Sequence, residues 1–140
     1  MLKEVLITVK STQDNDEKNS IEVISVGKFA KMEGLYRVVY EETEISGMEG
    51  TTTHFKIYPD EKKMILLRMG STDARMEFEN RKKHVCLYDT PYGVLEIAIT
   101  TNDLKIDIND NGGKIRIDYE MSVSGQKPVR TILSIDIRPQ

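Results

Sequence analysis

The sequence predicts an all-β fold, a single antiparallel meander of about ten strands closed into a barrel, and three observations predict it. The first is a hairpin written into Leu104 to Val123. Around Asn111-Gly112, symmetric pairing puts Ile108 opposite Ile115, Ile106 opposite Ile117 and Leu104 opposite Tyr119. The same pairing sets Asp107 against Arg116 and Lys105 against Asp118, so one face is apolar and the other is paired charge. Asn-Gly supplies the two positive-φ residues of a type I′ turn, and a slip would part the opposite charges. The second observation is that turn signals recur at the spacing of a meander. The third is that no segment sustains apolar spacing of three and four, so any helix is short.

Taken in order, the chain opens on Met1-Leu-Lys-Glu-Val-Leu-Ile-Thr-Val-Lys10, which alternates as a first strand. Asp14 to Asn19 is a polar loop joining two long strands. Further turns are signalled at Glu33-Gly34, Ser46 to Gly50, Pro59 to Glu61, Gly70-Ser71, Glu79 to Arg81, Thr90 to Gly93, Asn102-Asp103, Asn111-Gly112 and Gly125 to Pro128. In Thr90-Pro91-Tyr92-Gly93, proline stands where a turn wants its fixed φ. Strands fill the intervals. Neither the polar loop nor the proline turn reads as a domain linker, and residues 1–140 are one domain by length. So many consecutive antiparallel strands leave two exposed edges when flat, and closure removes them. A barrel of this size encloses either packed side chains or one small ligand.

The totals narrow the function classes. Lys and Arg number 20 against 23 Asp and Glu, a formal net charge of −3, so phosphate backbones repel the whole molecule weakly. Nucleic acid is not an expected partner. The basic run Arg81-Lys82-Lys83-His84 sits at a turn and reads as solvated loop charge. The single Cys86, within His84-Val-Cys-Leu-Tyr88, forms no intramolecular disulfide and reads as a small buried hydrophobe in a reducing compartment. The N-terminal segment lacks the apolar core and small-residue cleavage site of a signal peptide, and no run approaches the ~20 apolar residues of a membrane helix. A cytoplasmic protein without a membrane partner is expected.

Formal motifs point to no cofactor, metal or catalytic residue. Asp107-Ile-Asn109-Asp-Asn111-Gly112 with Asp118 twelfth mimics an EF-hand loop, but both flanks alternate as strands and the final ligand is not Glu. His54 and His84 have no partner at a metal spacing. His54 falls on the face of Thr52 and Lys56, the expected solvent side, and His84 shares a face with Cys86 and Tyr88 as a half-buried, hydrogen-bonded side chain. Gly112-Gly113 belongs to a hairpin rather than a phosphate loop, and no serine sits in a nucleophile elbow.

The departures from pattern are charges inside apolar strands. In Leu35-Tyr-Arg-Val-Val-Tyr-Glu-Glu-Thr43, alternation sends Glu41 and Glu42 to opposite faces, so one of them points inward beside Val39 or Tyr40 unless the strand ends early. In Met64-Ile-Leu-Leu-Arg-Met69, Arg68 shares a face with Met64 and Leu66. An inward Glu and Arg could anchor a polar ligand, with Arg gripping a carboxylate, or satisfy each other as a structural salt bridge. Alternatively, both sit near strand ends and reach solvent.

Five segments carry a family resemblance: Tyr40-Glu-Glu-Thr43 with Gly47 after it, Leu66-Leu-Arg-Met-Gly70, Arg75-Met-Glu-Phe78, Thr90-Pro-Tyr-Gly-Val-Leu-Glu96 and Ile117-Asp-Tyr-Glu-Met121. In this order and spacing, the chain resembles the YwiB-like uncharacterised bacterial β-barrel family, a domain of unknown function related in fold to the lipocalin-like calycins. The resemblance implies a cytoplasmic bacterial meander barrel and carries over no catalytic residue. By analogy of fold alone, calycin relatives suggest a small molecule inside the barrel.

Three functions follow as expectations. The leading one is a small-molecule binder with Tyr40, Glu41 or Glu42, Arg68 and Tyr92 as ligand-contacting candidates. The second is an enzyme in which an inward glutamate beside Arg68 acts as general acid or base. The third is an interaction module, a homodimer through an unclosed edge or through an exposed face of the first long strands.

Overall fold

Alternating apolar and polar residues become strands because each strand sends successive side chains to opposite faces. The computed structural model describes residues 2–13, 18, 20–43, 46–70 and 73–140, the backbone alone at 89 and 90. Its ten strands are β1 Leu2–Gln13, β2 Ser20–Met32, β3 Leu35–Glu41, β4 Thr51–Tyr58, β5 Lys63–Gly70, β6 Ala74–Glu79, β7 Lys83–Thr90, β8 Gly93–Asn109, β9 Gly112–Val123 and β10 Val129–Pro139. Among the described residues there is no helical element. The expected loop Asp14 to Asn19 lies outside the described residues except Lys18, and so does Ser71 of the Gly70-Ser71 turn.

Every ladder is antiparallel and joins chain neighbours, except that β1 also pairs with β10. The sheet is thus an up-and-down meander rolled until its first and last strands meet. It is a nearly closed barrel, broken only between β6 and β7, which share a turn but no ladder. That break is spanned by side chains. His84 of β7 lies 3.4 Å from Glu77 and 3.2 Å from Glu79 of β6, while Lys82 in the turn pairs with Glu79 at 2.8 Å. The turn backbone is tied to β8 through Arg81 N–H to Thr101 O and Thr101 N–H to Lys82 O, both 3.0 Å.

Large apolar side chains fill the barrel's middle. One cross-strand row runs Phe29, Val38, Phe55, Leu66 over β2 to β5, and the facing wall supplies Ile7, Ile135, Ile115 and Ile117. Phe78 of β6 meets Tyr119 of β9 edge-on with centroids 4.9 Å apart, closing the interior behind the seam. Each such fully buried side chain contributes roughly 1.5–3 kcal/mol. This packing leaves the polar chemistry to the end of the barrel where β3 runs into β4.

Two expectations for the hairpin are corrected. Its turn centres on Asp110 and Asn111, neither with positive φ, so the register moves by two residues and places Ile106 opposite Ile115 and Leu104 opposite Ile117. The Asn109 side chain accepts the Asn111 N–H at 2.8 Å, and positive φ falls instead on Gly112 and Gly113. A Cβ on Gly113 would overlap the Asp107 carbonyl oxygen, so the glycine pair must sit inside the ladder rather than at the turn centre. A shift of two keeps the apolar face inward but re-pairs the charges, setting Lys105 opposite Arg116 and Asp103 opposite Asp118. The expected turn at Asn102-Asp103 is instead a β-bulge inside the 17-residue strand β8.

Candidate functional site

The site grows from one cross-strand register. Tyr40 of β3 stands opposite Thr53 of β4, and Thr53 opposite Arg68 of β5, so the three side chains share the inner face. Glu41 ends β3 facing solvent, and Glu42, just beyond the strand, turns inward and is 7 % exposed. Its backbone N–H donates to Thr51 O at 2.8 Å, which fixes that phase. From the other wall, Tyr119 of β9 stands opposite Thr131 of β10, whose hydroxyl is bonded to it. The outcome is a polar layer capping one end of the apolar core.

Within the layer, the Thr53 hydroxyl donates to Glu42 Oε1 at 2.7 Å. The Tyr40 hydroxyl lies beside Glu42 and Thr53. Burial drives its ionisation far above the ordinary value of 10.0, the Glu42 charge raises it further, and the Arg68 charge opposes both. Tyr119 is raised by burial as well, opposed by the Thr131 bond and by Arg68. Arg68 therefore sits within electrostatic reach of both tyrosines. Its Nε is buried and makes no hydrogen bond, and among the described residues it forms no ion pair with Glu42. Of the three alternatives for the inward charges, the self-satisfied Glu–Arg salt bridge is not formed among the described residues. A concavity of about 520 Å³ opens over Glu42, bounded by Glu41, Glu49 and Thr51 at the β3–β4 loop.

The other candidates separate. Tyr92 is 99 % exposed in the β7–β8 turn and stands outside the layer, while Glu41 touches only the outer concavity. Thr53, Tyr119 and Thr131 were missed because threonine and tyrosine fit an inner strand face without comment; register against Arg68 reveals Thr53, and the approach of Tyr119 to Arg68 across the interior reveals the other two. His54 corrects its expectation too. It lies on the outer face with Lys56, but at 9 % exposure, its Nδ1 3.2 Å from Arg37 Nη2. Its burial, then the Arg37 and Lys56 charges, lower its pKa and keep it neutral. Cys86 packs against the core, and burial first of all raises its thiol pKa, the opposite of an activated nucleophile. Among the described residues no three His, Cys, Asp or Glu side chains group as metal ligands, and no helix is long and apolar enough to cross a membrane.

Comparison with known proteins supplies the family. Residues 7–135 match the family described as Domain of unknown function (DUF1934). The chain belongs to that family. It is 26% identical over 125 residues to the "Uncharacterized beta-barrel protein YwiB" of Bacillus subtilis (strain 168), covering 88% of this chain and 84% of the relative. The crystal structure of the ywiB protein from Bacillus subtilis superposes with a TM-score of 0.86 at 20% identity, over 99% of this chain and 93% of that one. That likeness carries the DUF1934 barrel fold. The function of the family is open, so a functional reading has to come from the residues of the polar layer.

Proposed function

We propose that this DUF1934 protein binds a small molecule carrying an anionic group at the polar mouth of the barrel, with Arg68 as the anchor. The observation that carries the reading is the inward Arg68, whose buried Nε lacks a hydrogen-bond partner although Glu42 lies in the same layer. Buried polar groups are nearly always satisfied, and a guanidinium fork matches a carboxylate in two parallel hydrogen bonds. Tyr119, held neutral by burial and accepting from Thr131, keeps its hydroxyl proton for the same ligand, whereas Tyr40 gives its own to Glu42. Because the middle of the barrel is packed, the ligand is held at the rim rather than in a deep calycin-type chamber. The lone, inert Cys86 supports a reducing cytoplasmic setting.

General acid–base catalysis is less favoured, because the Glu42 carboxylate is engaged by the hydroxyls of Thr53 and Tyr40. The test is ligand capture. Carboxylic acids screened by thermal shift give stabilising hits with the wild type and none with Arg68→Met. Equal shifts in the two proteins remove Arg68 from the site.

A further inference from the structure

On the outer face of the barrel, a concavity of about 420 Å³ that shares no residue with the polar layer crosses β2, β1, β10, β9 and β8. Its charges are arranged in cross-strand rows. One row runs Thr8, Asp136, Lys114, Asp107, and there each cation has an acid directly opposite. The next runs Glu22, Lys10, Ser134, Arg116, Lys105. In this second row Arg116 stands directly opposite Lys105, a like-charge pairing that opposes the sheet by a few tenths of a kcal/mol or more.

The hairpin could avoid this. The register two residues away keeps the same apolar face and pairs Asp107 with Arg116 and Lys105 with Asp118, but Gly112-Gly113 and the Asn109 cap hold the chain to the observed one. The like-charge pair thus survives in a position that a simple turn change would relieve. The acids beside it are shared with other cations: Asp107 stands opposite Lys114, and Asp118 feels the charge of Arg130 as well as that of Arg116. Asp118, next on the Arg116 face, is already gripped in two bonds by Arg130, at 3.0 Å and 2.7 Å. Lys105 reaches Asp103 only at 4.0 Å and is 72% exposed. Adjacent strands lie about 4.8 Å apart, so Lys10 and Arg116 flank the Ser134 hydroxyl with roughly 10 Å between their strands, a gap that two long side chains close around one tetrahedral anion.

We propose that this concavity is a phosphate-binding site, taking inorganic phosphate or a small phosphate ester, with Arg116 and Lys105 as the principal cations, Lys10 on the opposite side and Ser134 as the floor donor. The ligand relieves the like-charge contact that the turn imposes. The mixed row beside it, with Asp107 and Asp136, limits the site to a compact anion and disfavours an extended polyanion.

The test compares sodium phosphate, sodium glycerol phosphate and sodium chloride at equal ionic strength on the full chain, read by thermal unfolding and by amide chemical shifts. At about ten times its Kd, phosphate should raise Tm by about 4 °C beyond chloride. The perturbed amides should cluster at Lys10, Lys105, Arg116 and Ser134. A larger response to the ester assigns the esterified form, and a larger response to orthophosphate assigns the free ion. Arg116→Gln/Lys105→Gln should lose most of the phosphate shift while its unliganded Tm is unchanged or higher, because the repulsion is gone. Equal shifts in phosphate and chloride overturn the proposal, as does a full phosphate response in the double variant. Perturbations centred on Arg68 overturn it too, and would belong to the mouth. Arg116→Lys, which keeps the charge and loses the fork, should retain part of the response, so a folding defect in the double variant does not leave the matter undecided.

Discussion

Arg68 Nε, like Arg37 Nε, is buried without a partner, and the carboxylate in the Arg68 layer is occupied by Thr53 rather than by the guanidinium. A buried group without a partner costs about 1–3 kcal/mol, so Arg68→Met, an apolar replacement of similar length, should leave unfolding free energy unchanged or raise it by about 1 kcal/mol in a urea titration. A loss of more than about 2 kcal/mol would mean that Arg68 is structural. Thr53→Val removes one of the two hydroxyls from Glu42 and should destabilise by about 1–3 kcal/mol, because the buried carboxylate loses a donor that nothing apolar replaces. Tyr40 makes a pH prediction. Its folded pKa is raised above the unfolded value of 10.0, so the stability it contributes is complete below that pH and is lost as pH rises through and beyond it. The slope is about 1.4 kcal/mol per pH unit for one proton, and Tyr40→Phe should flatten the alkaline limb by that amount. An unaltered limb would mean that Tyr40 ionises in the folded protein. At this scale the sequence marked Arg68 and narrowed the inward carboxylate to Glu41 or Glu42. It could not decide between them, because the choice depends on strand phase, which the neighbouring Thr51 carbonyl sets.

Among the elements, the β8–β9 hairpin shows what pattern alone determines. Alternation from Leu104 to Val123 assigns the two strands and their inner face, since any even shift preserves both. It does not determine register. There the contest is between cross-strand charge pairs of about 0.2–1 kcal/mol and glycine backbone geometry, and the glycines win. Gly113→Ala should therefore cost about 2 kcal/mol or more and broaden the amide spectrum along both strands, whereas a loss under about 0.5 kcal/mol would show that the turn tolerates another register. The bulge near Asn102 has the same origin. A polar Asn-Asp pair reads as a turn in isolation, but Thr101 stays in the ladder opposite Tyr119 and the strand continues. Edge behaviour also belongs here. β6 and β7 lack a ladder between them, so their seam-facing amides should exchange with deuterium well before those of β9 and β10, which are paired on both sides. Uniform protection around the barrel would mean that the seam is shut by more than its side chains.

For the molecule as a whole, ten antiparallel strands in meander order were legible because turn chemistry and period-two alternation agree along almost the whole chain. Whether the barrel is hollow was not legible, since the same inward residues can line a chamber or meet across it. The inward side chains decide for a packed middle, since Phe29, Phe55, Phe78, Met64 and Ile117 are almost completely inaccessible, and the proposed ligand chemistry belongs at the rim. The proposal to be tested is a ligand held there by Arg68. It is tested most directly by the native mass spectrum of the protein purified gently from a bacterium that makes it, alongside Arg68→Met prepared the same way. The prediction is a reproducible added mass on the wild type that vanishes on denaturation and is missing from the variant. The same added mass on both proteins, or a bare wild type that still fails to bind any carboxylic acid offered in excess, would contradict it.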